Sequence, residues 1–292
     1  ATEIIRMIHE MEAQGAKIMV FPELCITAYT CGDLFWQENL LEEAKVQLVR
    51  IAEETKEVDA LIFVGLPLEY NGKLYNVAAG LNHGEILGFV PKTWLPNYNE
   101  FYEASGEHVD GTVHIDREAY KERYDSDFDD VEFDIEMTSF DGFEELEEID
   151  DEDFGGENFD DEDLFDDDEM DDELYEEDIW ISPNTIFTCE DMPKLQIAAE
   201  ICEDLWVPNP PSVAHAFHGA NLIVNLSASD EVVGKDSYRK SLVSAQSARL
   251  LCGYIYATAG EGESTQDVVY GGHNLIAENG SVLAESKRFA NG

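Results

Sequence analysis

Three residue types that can do covalent chemistry stand just past three apolar stretches of this chain. Residues 195–201 read as a buried strand that ends at once in Cys202, Glu203 and Asp204. A thiol at the carboxyl end of a buried strand sits where α/β folds open a mouth. A turn or helix starting there, as Glu203, Asp204 and Pro208 suggest, would aim backbone N–H groups at the thiolate and favour it. Residues 18–21 form a second apolar strand running into Pro22-Glu23-Leu24, and residues 87–90 a third running into Pro91-Lys92-Thr93. Taken singly, Cys202 reads equally as a small buried hydrophobe and the two charges as surface residues. Together they supply a nucleophile, an acid–base group and a fixed cation.

These segments resemble the three signatures of the nitrilase superfamily, whose members use a Glu-Lys-Cys triad: Phe21-Pro22-Glu23-Leu24, Pro91-Lys92 and the stretch from Glu200 to Trp206. Within it the chain is most similar to the glutamine-hydrolysing domain that stands at the front of glutamine-dependent NAD synthetases. The stretches 25–35, 95–103, 224–229 and 276–280 carry that likeness, which spans residues 1 to about 103 and about 183 to 292. It implies a four-layer α-β-β-α sandwich and hydrolysis of the glutamine side-chain amide through a Cys202 thioester. Glu23 would move the protons, and Lys92 with the Glu203 N–H would hold the oxyanion. Glu100, eight residues past Lys92, matches a second glutamate beside the triad in many relatives; as a loop-surface acid it is equally well explained. By the same resemblance Tyr98, Ser229 and Lys235 lie where the amino-acid end of glutamine is held. Lys235 replaces an arginine common there, which puts a two-pronged grip on the α-carboxylate in doubt. Glutamine would be the substrate and a synthetase domain, in cis or in trans, the partner.

The elements that must position these residues follow from periodicity. Ile4, Ile5, Ile8 and Met11 share one face of an opening helix closed by Gly15. A second helix, 39–57, buries Leu40, Leu41, Leu48 and Ile51. Strands are expected at 17–21, 60–66, 74–81 and 85–90, with tight connections at Asn71-Gly72 and Asn82-His83-Gly84. Further on, strands at 184–189, 195–201, 221–226 and 253–257 alternate with helices at 211–218 and 237–251, and a hairpin turns at Asn279-Gly280. The last helix presents Leu242, Ala245 and Leu250 inward and keeps Arg239, Lys240 and Arg249 on its polar side. Helices outside and sheets inside give a layered α/β domain. The resemblance sets the first helix after a strand that is not read here, so a sheet edge would stand open.

Composition bounds the rest. The chain has 292 residues, 44% of them hydrophobic, and a net charge of −48. Residues 104–178 hold 36 of the 65 acids and three of the 17 bases, a local balance of −33. A run so charged and aperiodic argues a disordered acidic insertion at about 104–180. Its Asp151/Asp153 motif lacks an oxygen ligand needed by a calcium loop. Five cysteines at 25, 31, 189, 202 and 252 form no disulfide or zinc spacing, and Cys25 and Cys31 are assigned to packing. No apolar run reaches the ~18 residues of a membrane span and no signal peptide is read. A cytoplasmic, metal-free homo-oligomer without nucleic-acid or membrane partners is expected. No glycine-serine phosphate loop is found, so ATP would belong to a synthetase domain outside a single glutaminase-like domain covering 1–292. A free-standing nitrilase-like amidase or carbamoylase, or an inactive acidic interaction protein, remain alternative readings.

Overall fold

Two six-stranded sheets lie face to face, with helices on both outer sides. The computed structural model describes residues 1–96, 109–117, 120, 176–265 and 267–290. The first sheet runs in the order β1 (Ile18–Val20), β2 (Leu61–Tyr70), β3 (Lys73–Asn82), β4 (Glu85–Pro91), β6 (Glu176–Ile181), β5 (Gly111–Asp116). The second contains β7 (Ile186–Thr188), β8 (Gln196–Ile201), β9 (Leu222–Ser227), β10 (Gly253–Thr258), β11 (Leu275–Glu278) and β12 (Ser281–Glu285), in chain order across the sheet. Helices α1 (Thr2–Ala13) and α2 (Glu38–Glu54) cover the first sheet. Helices α3 (Pro211–Phe217) and α4 (Lys235–Leu250) cover the second. This is the four-layer α-β-β-α arrangement.

Local chemistry explains the elements. In α1 Ile4, Ile5 and Ile8 are buried, one turn of a single stripe. In α2 the buried set is Leu41, Ala44, Leu48, Val49, Ile51 and Ala52. The turns Asn71-Gly72, His83-Gly84 and Asn279-Gly280 each place two successive residues at positive φ, which matches the twist of a two-residue hairpin. Between the sheets Phe63 of β2 meets Phe187 of β7 edge-on, ring centroids 5.1 Å apart. The Phe187 ring lies on Gly80 of β3, where an added Cβ would approach it to 2.6 Å.

Strands β1 and β4 share a direction, because β2 is parallel to β1 and β3 reverses between β2 and β4. Strands β8, β9 and β10 are mutually parallel. Their carboxyl ends deliver Glu23, Lys92, Cys202 and residues 227–229 to one region. Among the described residues the first sheet ends at the three-residue β1, an open edge. No helix of the described residues is long and apolar enough to cross a membrane.

Two expectations need correction. The acidic insertion read at about 104–180 contains strands at both ends. β5 and β6 pair antiparallel from Gly111↔Ile181 to Asp116↔Glu176, and β6 joins β4. Val113, Ile115, Ile179 and Ile181 are buried there, an alternation that the count of acids concealed. Arg117 closes the ladder, buried and paired with Glu53 of α2 and Glu177 of β6. The inward face of α4 differs in part: Leu242 and Leu250 pack against the core, but Ala245 is exposed, and the fully buried residues are Arg239, Val243, Gln246 and Ser247.

The ladder sets a test of the insertion's limits. Replacing residues 122–174 by a short Asn-Gly loop is expected to shift the thermal midpoint by only a few degrees, roughly 1 kcal/mol. A deletion running on through Asp178 removes half of β6 and should cost several times more. Thermal unfolding followed by circular dichroism compares the two.

Candidate active site

The sequence of β2 contains Gly65 for a steric reason. A Cβ there would lie 2.4 Å from Leu24 N and 2.9 Å from Pro22 O. The turn after β1 therefore rests directly on β2, with Leu24 at φ +51, and carries the Glu23 side chain into the interior. Glu23 and Lys92 form an ion pair of 2.6 Å whose side chains are both wholly buried. Oε1 of Glu23 accepts from Lys92 Nζ and, at 2.7 Å, from Asn76 Nδ2 of β3. Oε2 accepts from the Ala228 N–H at 2.8 Å. The Glu23 N–H in turn donates to Ser227 O at 3.3 Å. One carboxylate thus ties β1, β3, β4 and the end of β9 together.

Cys202 opens a 3₁₀ turn, Cys202–Leu205, at the end of β8. It adopts φ +47, a left-handed conformation costly for a residue with a Cβ. Two side chains hold it. Asp204 accepts from the Ile201 N–H at 2.9 Å, and Asn225 of β9 accepts from the Cys202 N–H through Oδ1 at 3.2 Å. Asp204 also reaches the lysine strand, accepting from the Thr93 N–H at 3.1 Å and the Trp94 N–H at 2.7 Å. The Cys202 turn and the Lys92 loop are thereby clasped by one carboxyl group.

Burial pushes the Asp204 carboxyl up to about 8, its backbone donors offsetting only part of that cost, and the nearby Glu200 adds to the rise. Glu200 is itself raised by burial. Tyr270 feels the charges of several site groups. Its phenol is raised first by burial and then by the neighbouring charges of Asp230, Glu263, Cys202 and Glu23. Tyr270 stacks edge-on with Tyr29 at 6.2 Å, and Glu263 accepts from the Tyr29 and Thr30 N–H groups at 2.9 and 3.2 Å.

The other expected residues fall as follows. Glu203 lies within the Cys202 turn, its carbonyl accepting from the Trp206 N–H at 2.8 Å. Ser229 is buried, its N–H donating to Thr258 Oγ1 at 3.0 Å and its Oγ accepting from Arg239 at 3.2 Å. Lys235 is the first residue of α4, paired with Asp230 and set 5.4 Å over the Trp206 ring. Tyr98 and Glu100 lie outside the described residues. Among the described residues no three His, Cys, Asp or Glu side chains are placed to hold a metal ion.

The family model of carbon-nitrogen hydrolases matches residues 1–113 and 157–292. The chain belongs to the carbon-nitrogen hydrolase family. It is 32% identical over 296 residues to the glutamine-dependent NAD(+) synthetase of Mycobacterium tuberculosis, covering 100% of this chain and 35% of that protein. A crystal structure of a glutamine-dependent NAD(+) synthetase from Cytophaga hutchinsonii superposes with TM-score 0.64 at 25% identity, over 98% of this chain and 37% of that one. A mutant amidase of the nitrilase superfamily from Nesterenkonia shares the fold, with TM-score 0.60 at 16% identity over 98% and 79% of the two chains. This carbon-nitrogen hydrolase chain spans about a third of the length of the curated relatives it matches.

Reading the sequence missed Asn76, Asp204, Asn225 and Arg239. Asn76 and Asn225 did leave a signal, since each is an amide inside an otherwise apolar strand and must find partners there. Two outcomes follow from the geometry. Gly65→Ala is expected to cost ~1–3 kcal/mol by forcing the Glu23 turn off β2, measured as a lowered urea midpoint. Asp204 yields a pH effect. Its raised value means the folded chain holds a proton that the unfolded chain releases above the ordinary carboxylate range. Stability therefore falls as pH rises from about 4 to about 8, at no more than about 1.4 kcal/mol per pH unit for one proton. Asp204→Asn should flatten that slope, whatever its effect on the midpoint at a single pH.

Proposed function

We propose that this domain hydrolyses the side-chain amide of glutamine to glutamate and ammonia, as the ammonia-supplying part of a glutamine-dependent NAD synthetase. The buried Glu23–Lys92 pair beside the strained Cys202 turn carries this reading, and the names of the relatives supply the substrate. Glu23 takes the Cys202 proton, and the thiolate attacks the carboxamide carbon. Negative charge moves to the carbonyl oxygen, where the Lys92 ammonium and the Glu203 N–H receive it. The Cys202 N–H is directed at Asn225, which fits an oxyanion site built from the next residue. As the C–N bond breaks, Glu23 returns the proton to the nitrogen and ammonia departs, leaving a γ-glutamyl thioester. Glu23 then takes a proton from water, hydroxide adds to the thioester, and collapse releases glutamate and restores the thiol.

A compact ammonium suits the oxyanion position because it is a point charge already fixed by its partner. Removing Glu23 or Lys92 leaves the other charged and buried, so such variants lose order as well as chemistry. At the far end of the substrate, Ser229 and the Asp230–Lys235 pair offer polar groups to a zwitterion, with Tyr98 and Glu100 proposed to join them. The amino-acid carboxylate would exchange with Asp230 for Lys235. A synthetase domain, which would use ATP, is proposed as the consumer of the ammonia, in a cytoplasmic homo-oligomer.

The expected result is that Cys202→Ala abolishes ammonia release from glutamine, while Glu23→Gln and Lys92→Met each lower kcat by ~10²-fold or more. Coupled glutamate dehydrogenase assays measure the rates, and intact-mass spectrometry looks for a glutamyl adduct on Cys202. Full ammonia release by Cys202→Ala would show the nucleophile to be wrong.

A further inference from the structure

Behind the Cys202 turn, on the side of the second sheet that faces α3 and α4, runs a buried polar chain that the proposed reaction does not use. It begins at the Ser212 N–H in the first turn of α3, which donates to Glu200 Oε2 at 3.0 Å. The other oxygen of Glu200 accepts from the Tyr254 hydroxyl. Tyr254 in turn accepts from Asn225 Nδ2 at 3.2 Å. Asn225 Oδ1 ends the chain by accepting from the Cys202 N–H at 3.2 Å and from Ser227 Oγ at 2.7 Å. Glu200, Tyr254, Asn225, Ser212 and Ser227 are each at most 1% exposed, and Gln246 of α4 donates to Ser212 Oγ at 2.9 Å to close the far end.

Every link of this chain has a direction. An amide is almost symmetric in shape but not in chemistry: one end accepts and the other donates. Cys202 can keep its left-handed turn only while the accepting end of Asn225 faces its N–H. The reversed amide would set two donors against each other in a buried place and leave both unsatisfied. Ser227 favours the correct orientation from one side and Tyr254 from the other. Tyr254 can accept from Asn225 only because its own proton is given to Glu200, and Glu200 can take it because it is a carboxylate rather than a donor. We infer that Glu200, Tyr254 and Asn225 are positioning residues whose shared hydrogen-bond polarity holds the Cys202 turn in its reactive form.

This rests on the proposed nucleophilic role of Cys202, but the turn can be probed without glutamine. Glu200→Gln keeps shape and reverses polarity. The new amide meets the Ser212 N–H with its oxygen and so turns its NH₂ toward Tyr254. The hydroxyl then swings its proton to Asn225 and drives the amide to flip. Tyr254→Phe removes the hydroxyl link but leaves the direct hydrogen bond from Asn225 to Glu200, so Glu200 still sets the polarity of Asn225. Asn225→Ala removes the final acceptor.

The experiment measures kcat and KM for glutamine together with the rate at which iodoacetamide alkylates Cys202, located by peptide mass spectrometry in the intact chain. Glu200→Gln and Asn225→Ala are expected to lower kcat and the alkylation rate together by ~10–100-fold, with KM within about twofold, as for a misplaced reacting group. Tyr254→Phe should lower both by only ~3–5-fold, because Ser227 still orients Asn225. The double variant Glu200→Gln/Tyr254→Phe should be no slower than Glu200→Gln alone, a non-additivity that mere loss of packing would not give. Should Asn225→Ala fail to fold, the isosteric Glu200→Gln and its double variant decide the matter. Folded Glu200→Gln protein that alkylates at the parental rate, or losses that simply add in the double variant, would overturn the inference. Glutamine turnover surviving in Cys202→Ala would instead remove the functional reading, leaving the alkylation comparison to judge the positioning chain.

Discussion

A wholly buried ion pair between Glu23 and Lys92 is the constraint on which the rest of the site depends. Taking a carboxylate and an ammonium out of water costs several kcal/mol each, and their attraction repays it only when the remaining hydrogen-bonding positions are filled. Here Asn76 and the Ala228 N–H fill them. Those two groups come from different sheets, so the pair demands that the sheets converge at their carboxyl ends to within hydrogen-bond reach. Gly65 permits the approach on one side, and Asp204 ties the lysine loop to the Cys202 turn on the other. Apolar side chains of similar volume would satisfy the same space at lower cost. Under the proposed reaction the charged pair would supply instead a base and a cation already fixed before a substrate arrives, so that little reorganisation would remain for the reaction itself.

The polar layer behind the second sheet follows from the same demand. A cysteine held at positive φ needs its surroundings to over-determine it, and an apolar layer cannot do so because it exerts no directional force. On α4 this demand is met by Gln246, which donates to Ser212, while the buried Arg239 and Ser247 serve other partners. Helix-period reasoning puts apolar residues inward and charged ones outward, and it holds for Leu242 and Leu250, which pack against the apolar cluster under α4, but fails where buried polar groups meet the helix. Arg239 is the extreme case. It is fully buried, donates to Glu231 at 2.6 Å and to Ser229 at 3.2 Å, and meets His273 Nδ1 at 3.1 Å.

The positions of Glu23, Lys92 and Cys202 and the layered architecture were legible in the residues because strand ends announce themselves. An apolar stretch that stops at a charge or a thiol marks both the strand and its exit, and Glu23, Lys92 and Cys202 all stand at such exits. The partners of the residues that hold them were not legible: Asn76 and Asn225 stand out as amides in apolar strands and Asp204 as a turn former, but their contacts with Glu23, Cys202 and Thr93 span 23 to 111 positions, and no periodicity reports a contact of that separation. The acidic middle misled for a different reason. Counting charge over a long window averaged the alternation of Val113 and Ile115, and of Ile179 and Ile181, into the surrounding acids. A period-2 pattern six residues long is small against a −33 background, yet it decides where the first sheet ends.

Charge balance in the site finally constrains what can occupy it. Among the described residues the cations near the Cys202 mouth each face a carboxylate: Lys92 with Glu23, Lys235 with Asp230, Arg239 with Glu231. A substrate with net negative charge would enter a space whose cations are already matched, against the field of a chain carrying −48. A zwitterion brings its own balance, so it can exchange carboxylate for carboxylate at Lys235 and offer its ammonium to the displaced Asp230 without stranding either charge. Under the proposed reaction, this ion-pair arithmetic would suit a neutral amino-acid amide better than an acidic one.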